Sequence, residues 1–385
     1  VRTAFIADVH IGNHSAPQPP HSLVAHTKSP LLNMRAQEVL GVLSAAVGVA
    51  QYHKAAELVV CGDLFDVPSP SAPFYMAARA AFSTFMGDVV LLAGNHEIAS
   101  SQATDSPAAV LAKMLPRCRY APPGQTVDTP RGVRCLGFPA LATQSETLAA
   151  VRGAAAARGN AYILATHLGV ITDGTPPWSR DSAEALSASA FREVLKGWGG
   201  VVLGNWHDAE SIEGSPWVEQ VGALCPTGFD NANDLLNYGQ LLVVDHEEGT
   251  RSRHFVPAPR FVRVDVPSGA PVPDFAAALV GVLAQKAGRY NLVTNLYVRL
   301  RCVAGDQRRV RDEAEKYRPA LEALTRGVVL VVDPTMPKDV SVKSVSVTQA
   351  EEDDHLFDYV VQTDIPTNVP RKRLMKTLKE LVKRE

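Results

Sequence analysis

Apolar residues recur along this chain in two rhythms. Short unbroken runs stop abruptly at small polar clusters, and between them apolar positions return at helical spacing. The first run, Phe5-Ile6-Ala7, leads into Asp8-Val9-His10. Residues 34–55 then place Met34, Val39, Leu43, Val47 and Ala50 at the spacing of one helix face, with Asn33 as N-cap. Leu58-Val59-Val60-Cys61 stops at Gly62-Asp63-Leu64-Phe65-Asp66, a helix is expected over 72–86, and Val89-Val90-Leu91-Leu92 stops at Gly94-Asn95-His96-Glu97. Strand, helix and strand in this alternation predict a layered α/β fold.

The same pattern continues. A strand is expected over 133–138, a helix over the Ala-rich 145–158, and a strand at Tyr162-Ile163-Leu164-Ala165, ending in Thr166-His167. A helix over 182–196 precedes Gly200-Val201-Val202-Leu203, which stops at Gly204-Asn205-Trp206-His207-Asp208, and two more strands fall at 217–221 and 240–245. Near Pro257 and Pro259 the composition shifts. A smaller α/β unit follows: strand 261–266, helix 274–288, strand 293–303, helix 306–325, strand 328–332. Residues 333–354 are polar and linker-like. A basic helix after Pro370 carries Leu374, Leu378, Leu381 and Val382 on one side. The expected division is 1–258, 259–340 and 341–385.

Composition narrows the picture. The chain has 385 residues, 46% hydrophobic and 20% charged, with a formal net charge of -2. That is an ordinary globular balance, with no global basic field to attract nucleic acid. The cysteines Cys61, Cys118, Cys135, Cys225 and Cys302 are scattered and show no Cys-x-x-Cys spacing. A reducing, cytoplasmic setting is expected rather than a disulfide framework or a structural zinc site. The chain opens on a strand, so no signal peptide is expected, and no apolar run is long enough for a membrane helix.

The polar clusters carry the chemistry. Successive side chains of a strand alternate faces, so Asp8 and His10 are expected to project together at a strand's carboxyl end, where open α/β sheets bind ligands. Taken singly, each cluster has an ordinary reading. Gly-Asp-Leu-Phe-Asp can cap a helix, Gly-Asn-His-Glu can make a tight turn, and His167 or His207 can simply pack. Taken together in sequence order, Asp8, His10, Asp63, Asn95, His96, His167 and His207 form a set of carboxylate, amide and imidazole groups suited to two divalent cations. Cations held about 3.5–4 Å apart by a shared carboxylate clamp a phosphate and activate water near neutral pH. Among the other histidines, His14 is placed near the site, whereas His21, His26, His53, His246 and His254 are read as structural or solvated.

These five clusters resemble the motifs of calcineurin-like metallophosphoesterases. Asp-Val-His-Ile-Gly and Gly-Asp-Leu-Phe-Asp resemble those of the SbcD-type DNA repair nucleases within that superfamily. Val221-Gly222-Ala223, Tyr238-Gly239-Gln240 and Phe255-Val256-Pro257 look most like the recombination nuclease subunits of tailed bacteriophages. The resemblance implies a layered sandwich of two mixed sheets flanked by helices, a smaller α/β capping domain and a C-terminal helical tail. It implies that Asp8, His10 and His207 bind one metal, that Asp63 bridges, and that Asn95 and His167 bind a second. His96 is then no ligand but protonates the leaving 3′ oxygen or stabilises the transition state as an imidazolium. Manganese is the implied cation, with magnesium as the alternative.

The chain departs from the family at one position. Asn205 stands where Gly-His-x-His would place the histidine that completes the second site. Its amide oxygen is a weaker, neutral ligand, which leaves three readings: a looser second site, a site completed by water or substrate, or a degenerate subunit.

The resemblance also implies partners. These are DNA, gripped by the 259–340 domain; an SbcC-like coiled-coil ABC-type ATPase, docked by 353–385; and a second copy of the chain, through apolar helices near the N-terminal loop. The implied activity is 3′→5′ exonuclease on double strands and endonuclease on single strands or hairpins, in the cytoplasm, or the host's if phage-encoded. One rival is a phosphoprotein phosphatase or small-nucleotide phosphodiesterase, against which Val67-Pro68 follows Asp66 where phosphatases carry Arg-Gly. The other is a non-catalytic scaffold, supported by Asn205 alone.

Overall fold

In the computed structural model the residues described are 1–12, 14, 32–98, 106–156, 162–172, 180–226, 228–229, 238–277, 279, 293–323, 325 and 327–334. The expected tail helix and ATPase-docking segment, most of the Gly12–Pro30 loop, most of the 274–288 helix, and His21 and His26 lie outside them. The described residues divide into two compact units, one within Val1–Val256 and one from Pro257 onward together with Gly228 and Phe229.

The first unit is built on two mixed six-stranded sheets. In the first sheet, β1 (Arg2–Ile6), β2 (Ala55–Val60), β3 (Asp88–Leu92) and β4 (Cys118–Ala121) run parallel. The sheet is extended antiparallel beside β1 by the hairpin β13 (Gln240–Asp245) and β14 (Thr250–Phe255). In the second sheet, β6 (Val133–Leu136), β7 (Ile163–His167), β10 (Gly200–Gly204) and β12 (Trp217–Gln220) run parallel. Antiparallel edges close it at β5 (Thr126–Asp128) and β11 (Glu210–Ile212). Phe5, Val59, Val90 and Leu242 of the first sheet meet Cys135, Ile163, Ala165 and Val202 of the second in a shared apolar core. Parallel strands buried on both faces read as continuous apolar runs, which is why the sequence pattern shows them.

Helices cover the outer faces. In α1 (Met34–Tyr52), Asn33 Oδ1 accepts from the Ala36 N–H at 2.8 Å, and Val39, Leu43, Val47 and Ala50 are buried. The helix ends at Tyr52, and β2 already begins at Ala55. Next come α2 (Ala72–Phe82), shorter than the expected 72–86, α3 (Pro107–Met114), which the pattern did not reveal, and α4 (Gln144–Ala156). The expected helix 182–196 is corrected at its start. Ala185–Ser187 is strand β9, paired in parallel with β8 (Gly169–Ile171). The Ser187 hydroxyl then caps a short α5 (Ala188–Val194) by accepting from the Ala190 N–H.

The second unit is a parallel sheet of β15 (Ala258–Val266), β16 (Val293–Cys302) and β17 (Gly327–Asp333). The expected single helix 306–325 is broken into α6 (Gln307–Ala314), a 3₁₀ turn at Glu315–Tyr317 and α7 (Arg318–Glu322). Pro319 explains the break, since it donates no N–H and crowds the preceding turn. Among the described residues no helix is long and apolar enough to cross a membrane, and the five cysteines are free.

Candidate metal centre

The clusters at the ends of β1, β2, β3, β7 and β10 converge, though not by strand alternation. β1 stops at Ile6, and Asp8, His10 and Asp63 take φ values of 50°, 51° and 48°. They therefore lie in the left-handed region, not on a pleated strand. Backbone pairing carries the two loops side by side instead: Val9 and His10 N–H both donate to Asp63 O, and Ile11 N–H to Leu64 O. Such backbone costs about 1–3 kcal/mol per residue and persists where its surroundings enforce it. Two glycines make the approach possible. A Cβ on Gly62, itself at φ 86°, would lie 2.2 Å from His167 Nδ1, and one on Gly94 would lie 2.1 Å from Asp63 Oδ1.

One group joins Asp8, His10 and His207, and another joins Asp8, Asp63 and His167; within each, candidate ligand atoms lie within 4.8 Å of one another. His10 Nε2 faces His207 Nε2 at 3.1 Å. Asp63 Oδ2 lies between the groups, 3.9 Å from His10 Nε2 and 3.4 Å from His167 Nε2. Asn95 Oδ1 is 2.9 Å from His167 Nε2. His96 donates its backbone N–H to Asp63 Oδ1, and its ring stands edge-on to His10 at 4.8 Å between centroids. All seven expected side chains are thus gathered at one place. Asp8, His10, Asp63 and His167 are buried, whereas the His96 side chain is 45% exposed.

The donor set fits divalent cations. His167 Nδ1 is 2.7 Å from Cys61 O, so Nδ1 carries the hydrogen and donates it. Nε2 then faces Asn95 Oδ1 and Asp63 Oδ2, a position that holds a proton in the cation-free site and a lone pair for a cation when the ring is neutral. Without a cation, the buried charges are balanced by protons. Burial pushes Asp8 up to about 6, partly offset by His167, while the Asp63 charge adds to the rise. Burial alone would depress His167, but Asp63 and Asp8 draw a proton onto it and raise it. That proton stands in the charge balance where a cation would. Burial, with His10 beside it, lowers His207 to about 4, leaving it a neutral donor.

Asn205 contributes through its backbone. At φ 88° its N–H donates to Asp8 Oδ1 and Oδ2 at 3.2 and 3.1 Å, while its side-chain Nδ2 donates to Glu184 O at 3.3 Å.

Two acidic residues were missed as site residues. Asp66 Oδ1 lies 3.2 Å from His10 Nδ1, without hydrogen-bond alignment, and 3.6 Å from His96 Nδ1. Its Oδ2 is 3.7 Å from His14 Nδ1, and His14 Nε2 bonds His10 O at 2.7 Å, so His14 does lie beside the centre. The Asp66 carboxylate, accepting from the His96 ring, raises it to about 9, against the lowering effect of burial. Glu97 accepts from the Phe65 and Gly94 N–H groups and so ties the second cluster to the third. Both stand inside the polar clusters; the signal was their place in the turn rather than at its ligand position.

No protein-family model matches the chain, and no curated protein matches it. Among solved structures it is similar to TT1561 of Thermus thermophilus, at 12% identity over 66% of this chain and 98% of that one, with a TM-score of 0.42. It is similar to a dimetal phosphatase from Danio rerio at 14% identity over 59% and 89%, TM-score 0.37. It is also similar to a Staphylococcus aureus protein assigned as a 5′-nucleotidase, in complex with alpha-ketoglutarate, at 14% identity over 66% and 53%, TM-score 0.37. These are likenesses of fold; what the site can do is carried by its own donors and distances.

Proposed function

We propose that this chain is a divalent-metal-dependent phosphodiesterase acting on DNA, a nuclease of the SbcD type. The observation that carries the metal reading is the convergence of His167 Nε2 with Asp63 and Asn95 oxygens, beside the facing His10 and His207 nitrogens. Asp8, His10 and His207 would hold one cation, Asn95 and His167 the other, with Asp63 shared. Two bound divalent cations supply charge for phosphoryl oxygens and a nucleophile drawn from water at neutral pH. His96, held by Asp66 and partly exposed, delivers a proton to the leaving 3′ oxygen.

The choice of DNA rests on the motif resemblance; on the sheet of the second unit Arg299 and Arg301 are paired with Asp333 and Asp265 on the same face. Pairing with an SbcC-like ATPase and a cytoplasmic setting belong to the same reading. So does a homodimer through the outer face of α1, whose exposed positions Gly41, Ser44, Gly48, Gln51 and Tyr52 carry no charge. Manganese-dependent cleavage of end-labelled duplex and hairpin DNA, alone and with the ATPase, tests it. Cleavage above that of a free nucleotide ester is expected; the reverse preference would favour the small-substrate rival.

A further inference from the structure

The strand-to-loop segment that carries His207 is held in an unusual way. β10 and β12 pair in register up to Leu203 and Gln220. Val221 N–H then donates to Leu203 O at 2.9 Å, and Ala223 N–H to His207 O at 2.8 Å. Between these two rungs the loop departs from β12, and the side chain of Gln220 bridges the gap. Its Nε2 lies 2.9 Å from Gly204 O and 3.3 Å from both Leu203 O and Trp206 O. Three carbonyl acceptors around one atom identify it as the amide nitrogen, which settles the orientation of the group.

Gln220 is only 1% exposed, and its Oε1 is buried without a hydrogen-bond partner. An orphaned acceptor is unfavourable in a core, so the carboxamide is kept there for its donors. Those donors shape a short loop with two contacts to the centre: the Asn205 N–H on both oxygens of Asp8, and the His207 ring against His10. The loop starts at Gly204 and turns through Asn205 at φ 88°, a left-handed conformation that does not hold itself in place.

We infer that Gln220 is a positioning residue for the metal centre: its side-chain amide acts as a missing ladder rung that fixes His207 and the Asp8 clamp in ligating position. The inference rests on the metal-centre reading above. It differs from a packing role because its consequence falls on cation affinity, not on the core.

The test is Mn²⁺ titration calorimetry on the metal-free full chain, paired with thermal unfolding of the same samples. Gln220→Met keeps the bulk and removes the donors. Affinity is expected to fall about 10–100-fold, the range for lost supporting hydrogen bonds around a ligand, with the metal-free fold retained and DNA cleavage restored by excess Mn²⁺. Gln220→His, which keeps one donor, is expected to regain part of that affinity and decides the matter should the Met variant not fold. Affinity within twofold of the unsubstituted chain in the folded variant overturns the inference. His207→Ala separates the two levels. If it loses Mn²⁺ while Gln220→Met does not, the positioning role falls and the metal centre stands. No Mn²⁺ uptake by the unsubstituted chain overturns both.

Discussion

Asn205 gives one backbone N–H to both carboxylate oxygens of Asp8, across 197 positions of sequence. The contact belongs to the main chain, so the side chain is replaceable without loss of the clamp. Asn205→His is expected to keep Asp8 in place, to cost about 1 kcal/mol for a larger side chain in left-handed backbone, and to hold the second cation more tightly. DNA cleavage should be equal to the parent or higher. Calorimetric Mn²⁺ binding and a cleavage rate for the variant check this; weaker Mn²⁺ binding at an intact melting temperature would refute it.

His96 stands in a third group, with His10 and Asp66, outside the two that share Asp8, and in the proposed reading it serves as proton donor and not as ligand. His96→Ala should therefore leave cation stoichiometry unchanged and lower cleavage by about 10²–10⁴-fold, the usual worth of a placed proton donor. Metal analysis of the purified variant beside its turnover rate makes the comparison. Unchanged cleavage would remove His96 from the reaction.

The same histidine predicts a pH profile. The hydrogen bond with Asp66 outweighs burial and raises His96 to about 9 from its ordinary 6.5. As a proton donor it works while protonated, so activity limited by this group should hold up to about pH 9 and fall above it. Asp66→Asn removes the raising partner, and the decline should then begin at least one pH unit lower, about 9 to 8 or below. The pH dependence of kcat/KM for the two chains reads this shift; an unmoved alkaline limb would separate Asp66 from His96.

Much of this is legible in the sequence because the buried strands are unmixed apolar runs: Leu58–Val60 and Val89–Leu92 announce themselves, and each stops at its polar cluster. Other parts are hidden for physical reasons. Ala185-Leu186-Ser187 has the composition of a helix start, and only its partner Gly169–Ile171, far off in sequence, makes it a strand. The hairpin strand β14 reads Thr-Arg-Ser-Arg-His-Phe, polar because its arginines reach across to the other sheet. Strand alternation is not what brings Asp8 and His10 together, since it does not extend into left-handed residues. The role of Asp66 shows only when His10, His14 and His96 surround it.

A buried carboxyl away from the centre gives stability its own pH dependence. Glu57 is 0% exposed, with Oε2 accepting from the Thr3 hydroxyl at 3.4 Å and Oε1 without a partner. Burial raises it to about 7 from 4.5. A folded value above the unfolded one means the folded state holds the proton more tightly. Its contribution is therefore full below about pH 4.5 and is lost as pH rises through about 7. Glu57→Gln, neutral at every pH, should stabilise the chain by about 2 kcal/mol at pH 8 and flatten that part of the profile. Denaturant unfolding at pH 5 and pH 8 of both proteins checks it (about 3 pH units apart, enough to span the transition); equal pH slopes would count against it.

The two sheets of the first unit are also fastened at one edge by Arg253, with Arg251 beside it on the same strand. Arg253 on β14 sends Nη2 to Glu219 Oε2 at 2.6 Å, Gln220 O at 2.8 Å and Glu210 O at 2.9 Å. Its Nη1 goes to Val221 O and its Nε to Ser211 Oγ, each at 3.2 Å. All these acceptors lie on or just beyond β11 and β12, so one guanidinium joins the edge hairpin of one sheet to the edge of the other. Glu219, whose side chain is 3% exposed, would keep Arg251 as a partner but lose half of its neutralisation. Arg253→Ala should therefore destabilise the chain by about 3 kcal/mol, the scale for removing one member of a buried pair. Arg253→Lys should recover little, because an ammonium has no planar fork to serve the carboxylate and several carbonyls at once. Arg253 holds the backbone carbonyls of Gln220 and Val221 and not the Gln220 carboxamide, so Mn²⁺ affinity of the folded fraction should fall far less than in Gln220→Met. Chemical denaturation with a parallel Mn²⁺ titration distinguishes this clasp from a role at the centre, and a lysine variant as stable as the parent would overturn it.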